Sequence, residues 1–203
     1  MTVIEWLPLA AVCLMGAMSP GPSLVVVVKH TINGGKRHGL ITAWTHALGV
    51  GVYATITVFG LVVLLSHNPN VFKAVTLAGA VYLAWLGVTT LLAARHPSST
   101  PAETTTASKT TIARDGLLTA LLNPKIAVFF AALFSQFVGP ANSTADKWLM
   151  AGIAFSIDGL WYTVVALLLS RPLVLTRFQA QRHWVNRVCG VLFIAVAARI
   201  AVI

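Results

Sequence analysis

The sequence is short of charged residues, of acids above all, and of cysteine. Only 9% of its 203 residues are charged, whereas a soluble domain carries about a quarter. It has 5 acidic residues against 14 Lys and Arg, and 57% of the chain is hydrophobic. This composition argues against a soluble domain and predicts an all-α integral membrane protein. The 2 cysteines, Cys13 and Cys189, lie in apolar runs and are expected to be small core residues, not a disulfide framework.

Six apolar runs are long enough to cross a bilayer, which takes about 20 residues. They cover residues 3–31, 39–65, 71–94, 113–137, 147–170 and 185–203. The first run starts with an acid and has no basic segment before it, so we expect it to stay in the mature protein rather than act as a cleaved signal. The whole chain, 1–203, is therefore expected to form a single transmembrane domain.

The basic residues show how the runs are oriented. Most Lys and Arg residues fall at the first, third and fifth connections, and positive residues favour the cytoplasmic side. This predicts a multi-pass protein of the bacterial inner membrane with periplasmic N and C termini. The net charge of +9 is then a topology signal, because it is spread over short loops. We expect the lipid bilayer as a partner and no nucleic acid.

The chain divides into two similar halves. A Ser/Thr-rich stretch with two prolines, residues 95–112, is expected to be a cytoplasmic linker between repeat 1 (1–94) and repeat 2 (113–203). Pro22 and Pro124 occupy matching places near the start of each half. Because each half has three helices, the second copy is inverted, which is a transporter architecture. The fold expected is six transmembrane helices in two inverted three-helix repeats. A plain helical bundle with proline kinks is the alternative.

Helices 1 and 4 are both expected to be broken. Proline lacks an N–H and clashes with the carbonyl one turn back, so such a break persists in a membrane only inside protein or beside a watery cavity. Ser19 and Asn123 each precede a proline and are expected to cap a restarted helix. The positive ends of the two half-helices should meet at mid-membrane and bind a carboxylate. We expect the backbone N–H groups of Ser23 and Leu24 to contact it.

Two ionisable residues lie deep in the apolar runs. Lys125 is roughly 15 Å inside Arg114 at helical rise, and Asp158 is near the middle of the fifth run. Lys125 would hold a carboxylate while Asp158 holds an ammonium or a proton, which suits a zwitterion such as an amino acid. A structural Lys125–Asp158 ion pair is the alternative. His46 is either a proton-coupling residue with Asp158 or a packed, hydrogen-bonded histidine. The expected substrate-binding residues are Ser19, Pro20, Gly21, Pro22, Ser23, Asn123, Pro124, Lys125 and Asp158.

Motifs of soluble enzymes are missing from the sequence. There is no phosphate-binding loop, since "GGKRHG" lacks the necessary spacing, and no group of acids and histidines has metal-ligand spacing. We therefore expect no enzyme activity, no cofactor and no metal site.

Three stretches resemble a known family. They are "MSPGPSLVVVVKHTINGGKRHGLITAWTHALGVGV" (18–52), "GLLTALLNPKIAVFFAALFSQFV" (116–138) and "VNRVCGVLFIAVAARI" (185–200). They resemble the lysine exporter (LysE) superfamily, in its RhtB-like homoserine/threonine efflux branch, over nearly the whole chain. The resemblance implies six helices, an inner-membrane location and export of amino acids or related small zwitterionic metabolites by proton antiport.

Two other functions stay open, because the superfamily has distant relatives of other kinds. A metal-ion exporter would need clustered carboxylates or soft ligands at the midplane, and one Asp beside a Lys is a poor cation site. A six-helix membrane thiol or electron carrier would have paired cysteines near the prolines. Neither Cys13 nor Cys189 has a cysteine counterpart in the other half. A homodimer is compatible with the sequence, but no feature decides it.

Overall fold

All the regular secondary structure is helical in the computed structural model, which describes residues 3–93, 108–170 and 172–202. The helices, in chain order, are α1 (Val3–Met18), α2 (Pro22–His67), α3 (Pro69–Ala93), α4 (Lys109–Leu121), α5 (Pro124–Phe134), α6 (Thr144–Leu169) and α7 (Pro172–Val202). The all-α prediction is confirmed over these residues. Most of the expected linker, 95–112, lies outside the described residues.

The chain breaks at both places where the sequence predicts it. α1 ends at Met18 and α2 begins at Pro22. α4 ends at Leu121, α5 begins at Pro124, and the two are bent by 50°. Pro is favoured at the first position of a helix because its missing N–H would have no partner there and its fixed φ already suits the helix. Each break is therefore an end and a restart, not a kink in one continuous helix.

α2 consists of two helical segments that fold back at Gly35. This glycine has a φ of 70°, in the left-handed region that side chains disfavour. The Thr31 side chain packs against Gly39. Residues so spaced in a straight helix would be about 12 Å apart along its axis, so segments 22–34 and 36–67 must lie side by side. The connection between the first two expected runs is thus a tight turn at Gly35.

The apolar helices make this a multi-pass membrane architecture. Within the part of the chain that the structure describes, four helical stretches are long and apolar enough to cross a bilayer: Pro22–His67, Pro69–Ala93, Thr144–Leu169 and His183–Ile200. The number of candidate spans rises to five when the bent pair α4 and α5 is counted as one span. Trp6–Met18 is a shorter apolar helix. Side chains on the outside of these helices are largely hydrophobic, as lipid contact requires, with Ile56, Val81 and Trp85 each more than half exposed.

Packing contacts set the relative direction of the helices. α6 is antiparallel to the second segment of α2, since Gly39 lies against Ala166 and Phe59 lies against Trp148. α3 packs against α5 and α7, and α4 against α2. The end of the molecule at which α6 begins is called the start side here. The opposite end is called the far side. Phe59 and Trp148 are thus near the start side, and Gly39 and Ala166 are near the far side.

Candidate functional site

The start of α2 has no side-chain cap. Gly21 is the residue before the helix and offers no side chain to bond the first N–H groups. The expectation that Ser19 caps the restarted helix is wrong, because the helix begins only at Pro22, three residues later. The buried Ser19 instead ends α1, where its N–H donates to the carbonyl of Met15 at 3.0 Å. The first N–H groups of α2 therefore lack the side-chain acceptor that such ends commonly have.

The start of α5 is capped as the sequence predicts. The Asn123 Oδ1 accepts from the backbone N–H of Lys125 at 3.0 Å, and the Asn123 carbonyl accepts from the N–H of Ile126 at 3.0 Å. The Asn123 amide also donates to the Ser23 hydroxyl at 3.3 Å. The two restarts therefore approach each other, as predicted. The two helix starts differ in their capping, because the Asn123 side chain accepts from an N–H group at the start of α5, whereas the start of α2 has no side-chain cap.

The Lys125 ammonium lies at the first break. Its Nζ donates to the Ser19 hydroxyl at 2.8 Å and to the Ser19 carbonyl at 3.4 Å. The nearest atom to the open side of Gly21 is also the Lys125 Nζ, 3.6 Å from where a Cβ would stand. A positive charge thus sits beside the uncapped end of α2, and both favour an anion.

Asp158 pairs with His46 rather than with Lys125. The distance from His46 Nδ1 to Asp158 Oδ2 is 2.8 Å, and both side chains are buried. The hypothesis of a Lys125–Asp158 ion pair is therefore wrong. When Asp158 is ionised, a neutral His46 ring donates to it through Nδ1, and the His46 Nε2 is then an acceptor. This Nε2 is buried and has no hydrogen-bond partner among the described residues.

Tyr162 joins the two parts of the site and is not among the residues predicted from the sequence. Its hydroxyl donates to the carbonyl of Ala17 at 3.1 Å. Its ring meets the His46 ring edge-on, with centroids 5.3 Å apart. The signal that could have found it is its spacing, since Tyr162 is one helical turn after Asp158 and shares its face.

These residues surround one cavity. Its lining consists of Cys13, Gly16, Ala17, Ser19, Gly21, Ser23, His46, Val50, Asn123, Lys125, Ile126, Phe129, Phe130, Ala154, Asp158 and Tyr162. Seven predicted residues are thus brought together: Ser19, Gly21, Ser23, His46, Asn123, Lys125 and Asp158. The three prolines, Pro20, Pro22 and Pro124, are not in the lining. The side chain of Leu24 does not line the cavity and is buried in an apolar cluster beside it.

The cavity lining stops at Tyr162 on the far side. Beyond it, Leu24, Val27 and Val165 pack with Tyr162 in one apolar cluster. An ion pair lies at the same end, with 3.2 Å between His30 Nε2 of the first α2 segment and Asp115 Oδ2 of α4. This pair belongs to the far side because the next residue of α4, Gly116, packs against Thr42, one turn beyond His46. The far end of the cavity is therefore closed by an apolar layer and a polar contact.

Neither cysteine is paired, and both are buried. Cys13 is part of the cavity lining, whereas the Cys189 thiol donates to the carbonyl of Met15 at 3.6 Å. Among the residues that the structure describes, no three His, Cys, Asp or Glu side chains are grouped so that they could hold a metal ion.

Broken helices around a buried, charge-lined cavity define a multi-helix membrane translocator. The model of one such family, the LysE type translocator, matches residues 14–202. The chain therefore belongs to the LysE type translocator family, and it is a transport protein rather than an enzyme. The resemblance predicted from the sequence is confirmed.

Curated relatives cover nearly the whole chain. A threonine efflux protein of Escherichia coli K12 is 29% identical over 191 residues, 93% of each chain. A homoserine/homoserine lactone efflux protein of Salmonella typhimurium is 29% identical over 203 residues, which is 99% of this chain and 98% of the relative. An uncharacterized membrane protein of Vibrio cholerae is 27% identical over 200 residues, 95% and 97% of the two chains. No solved structure matches this chain.

Proposed function

We propose that the protein exports amino acids, or related small zwitterions, across the bacterial inner membrane by proton antiport. The observation that carries the proposal is that one cavity has a cationic and an anionic part. Lys125 and the uncapped end of α2 form the first part, and the His46–Asp158 pair forms the second. The carboxylate and ammonium groups of an amino acid complement these two parts. The relatives named for threonine and homoserine efflux support the same substrate class.

The substrate carboxylate is proposed to bind at the start of α2. Gly21 leaves room there and supplies no cap, so the N–H groups of Ser23 and Leu24 can donate to an anion. Lys125 reaches the same place and can exchange the Ser19 hydroxyl for the carboxylate, which makes a stronger charge-assisted hydrogen bond. The prolines act indirectly, because Pro20 and Pro22 keep the chain from closing into a continuous helix.

The proton is proposed to compete with the substrate ammonium for Asp158. A carboxylate that binds either a proton or an ammonium group, but not both, couples the movement of one to the opposite movement of the other. His46 supports this exchange, since its hydrogen bond orients the Asp158 carboxylate and its ring can itself take up a proton. The cycle then loads Asp158 with a proton on the outside and releases it when substrate arrives from the inside.

Transport requires the far side to open. We propose that the far side faces the cytoplasm, so the His30–Asp115 pair and the apolar layer under Tyr162 separate when substrate enters. The pair links the first segment of α2 to α4. Each of these two segments is the far-side half of a broken helix. A movement of these half-helices is the alternating access that broken-helix transporters use.

The proposed topology is six spans in two inverted repeats, 1–94 and 113–203, within one transmembrane domain. α2 has 46 residues, or about 69 Å at helical rise, which is more than twice the roughly 30 Å of the hydrocarbon core. Its first segment therefore completes a broken span with α1, and its second segment is a span of its own. His46 and Asp158, 112 positions apart, then occupy matching helices of the two repeats and meet between them. Both termini are proposed to be periplasmic.

The proposed function is tested by export from cells that express the protein. Cells are loaded with a panel of labelled amino acids, and efflux is followed with the proton gradient intact and then collapsed. We expect faster efflux of part of the panel than from cells without the protein, and loss of the difference when the gradient collapses. No difference for any amino acid would contradict the proposal. Metal sensitivity of cells lacking the gene, and efflux by a Cys13→Ser/Cys189→Ser variant, test the metal-ion and thiol alternatives.

A further inference from the structure

We propose that the cavity contains an apolar subsite for the substrate side chain, so that the protein prefers amino acids whose side chains are uncharged and apolar. This inference rests on the proposed function and narrows its substrate class. In each of α2, α5 and α6, one polar lining residue has an apolar lining residue one helical turn away from it. The pairs are His46 and Val50, Lys125 and Phe129, and Asp158 and Ala154.

The apolar members lie together on the start side of the polar ones. Val50 and Ala154 are level with each other, since their neighbours Gly51 and Phe155 are in contact. From α1, Gly16 packs directly against the Phe129 ring, with only 2.6 Å between a Cβ placed on Gly16 and the ring. The cavity is therefore polar at the level of the breaks and apolar one turn further toward the start side.

The apolar subsite lies one helical turn from the polar groups of the cavity. One helical turn of four residues separates the two levels by about 6 Å. The subsite is lined by Cys13, Gly16, Val50, Phe129, Phe130 and Ala154. Their side chains carry no charge, and the Cys13 thiol is a weak hydrogen-bonding group. A charged side chain placed there would lose its water without gaining a partner. Each methylene buried there should improve the apparent affinity by about fourfold.

Three amino acids of nearly equal shape test the inference. Norvaline, homoserine and 2,4-diaminobutyrate end in a methyl, a hydroxyl and an ammonium group, respectively. Their labelled forms are taken up into everted membrane vesicles that contain the protein. We expect norvaline to have the lowest half-saturating concentration, homoserine one several-fold higher, and diaminobutyrate one at least tenfold higher. A half-saturating concentration for homoserine or diaminobutyrate as low as that for norvaline would overturn the proposal of an apolar subsite. The proposal of amino-acid export would still stand. Uptake of none of the three, nor of any other amino acid, would instead contradict the proposed function.

A matched pair of valine variants locates the subsite. Val50→Thr keeps the shape of the side chain and places a hydroxyl in the subsite, whereas Val52→Thr makes the same change on the exposed side of α2, where Val52 is 41% exposed. We expect Val50→Thr to reduce the preference for norvaline over homoserine at least threefold and Val52→Thr to leave it unchanged. An unchanged ratio in a Val50→Thr protein that is present in the membrane at normal amounts would place the substrate side chain elsewhere.

Discussion

The ammonium group of Lys125 gives the sharpest test of the proposed carboxylate site. Lys125→Met keeps the length and flexibility of the side chain and removes its charge and its three donors. In the structure this ammonium lies 2.8 Å from the Ser19 hydroxyl, next to Gly21 at the uncapped start of α2. The variant removes the cation that faces the proposed carboxylate position and leaves the backbone of both breaks in place.

The expected loss follows from the strength of one charge-assisted hydrogen bond. Hydrogen bonds to charged groups are worth about 1.5–3 kcal/mol. Because about 1.4 kcal/mol corresponds to a tenfold change, Lys125→Met should raise the half-saturating substrate concentration about 10- to 100-fold. The Ser19 hydroxyl also loses its partner in a buried place, which costs about 1–3 kcal/mol of stability. The amount of folded protein in the membrane must therefore be measured beside the activity.

The assay is the concentration dependence of labelled amino-acid uptake into everted vesicles, corrected for the amount of protein. Lys73→Met is the control, since Lys73 is an exposed lysine of α3 away from the cavity, and it should behave as the unmodified protein does. Lys125→Arg should keep more activity than Lys125→Met because it keeps the charge. An unchanged half-saturating concentration in Lys125→Met would refute the reasoning and place the carboxylate elsewhere.

Three further predictions concern coupling, closure and packing. Asp158→Asn should abolish accumulation driven by a proton gradient, while Asp146→Asn, which changes an acid at the start of α6 outside the cavity lining, should not. Gradient-driven uptake by the Asp158→Asn variant would contradict the coupling role. His30→Asp and Asp115→His should each impair transport when made alone and restore part of it together; equal loss in the double variant would show that the pair is not a closing contact. Gly190→Ala should cost about 1–3 kcal/mol of stability, because its Cβ would lie 2.8 Å from the Gly87 carbonyl oxygen of α3. The measurement is the midpoint of thermal unfolding in detergent, and Gly152→Ala, with nothing within 4 Å, should not lower that midpoint.

The breaks could be predicted from the sequence because their cause is local. Proline near the middle of an apolar run removes hydrogen bonds wherever the rest of the protein lies, so both restarts were found. The cap at Asn123 could be predicted for the same reason, since proline favours the first position of a helix and asparagine favours the capping position before it. Ser19 was misassigned because two prolines compete for the first helical position. The intervening Gly21 let the helix start at the second one.

The partners of the buried charges could not be predicted, because they depend on how helices from different halves face each other. His46 and Asp158 are 112 positions apart, and no local pattern distinguishes this pairing from a Lys125–Asp158 ion pair. Tyr162 was missed because a buried tyrosine in an apolar helix is ordinary core until its hydroxyl is seen on the carbonyl of Ala17.

Transport by the purified protein in liposomes tests the central claim most directly, which is that amino acids leave through the cavity between the broken helices in exchange for protons. Labelled norvaline is placed outside liposomes with an acidic interior, with oriented protein, and its uptake is compared with and without the gradient. We predict that the gradient drives accumulation by the unmodified protein, that Asp158→Asn removes it, and that Lys125→Met reduces the apparent affinity. Accumulation that is the same without a gradient, or unaffected by both substitutions, would contradict the account.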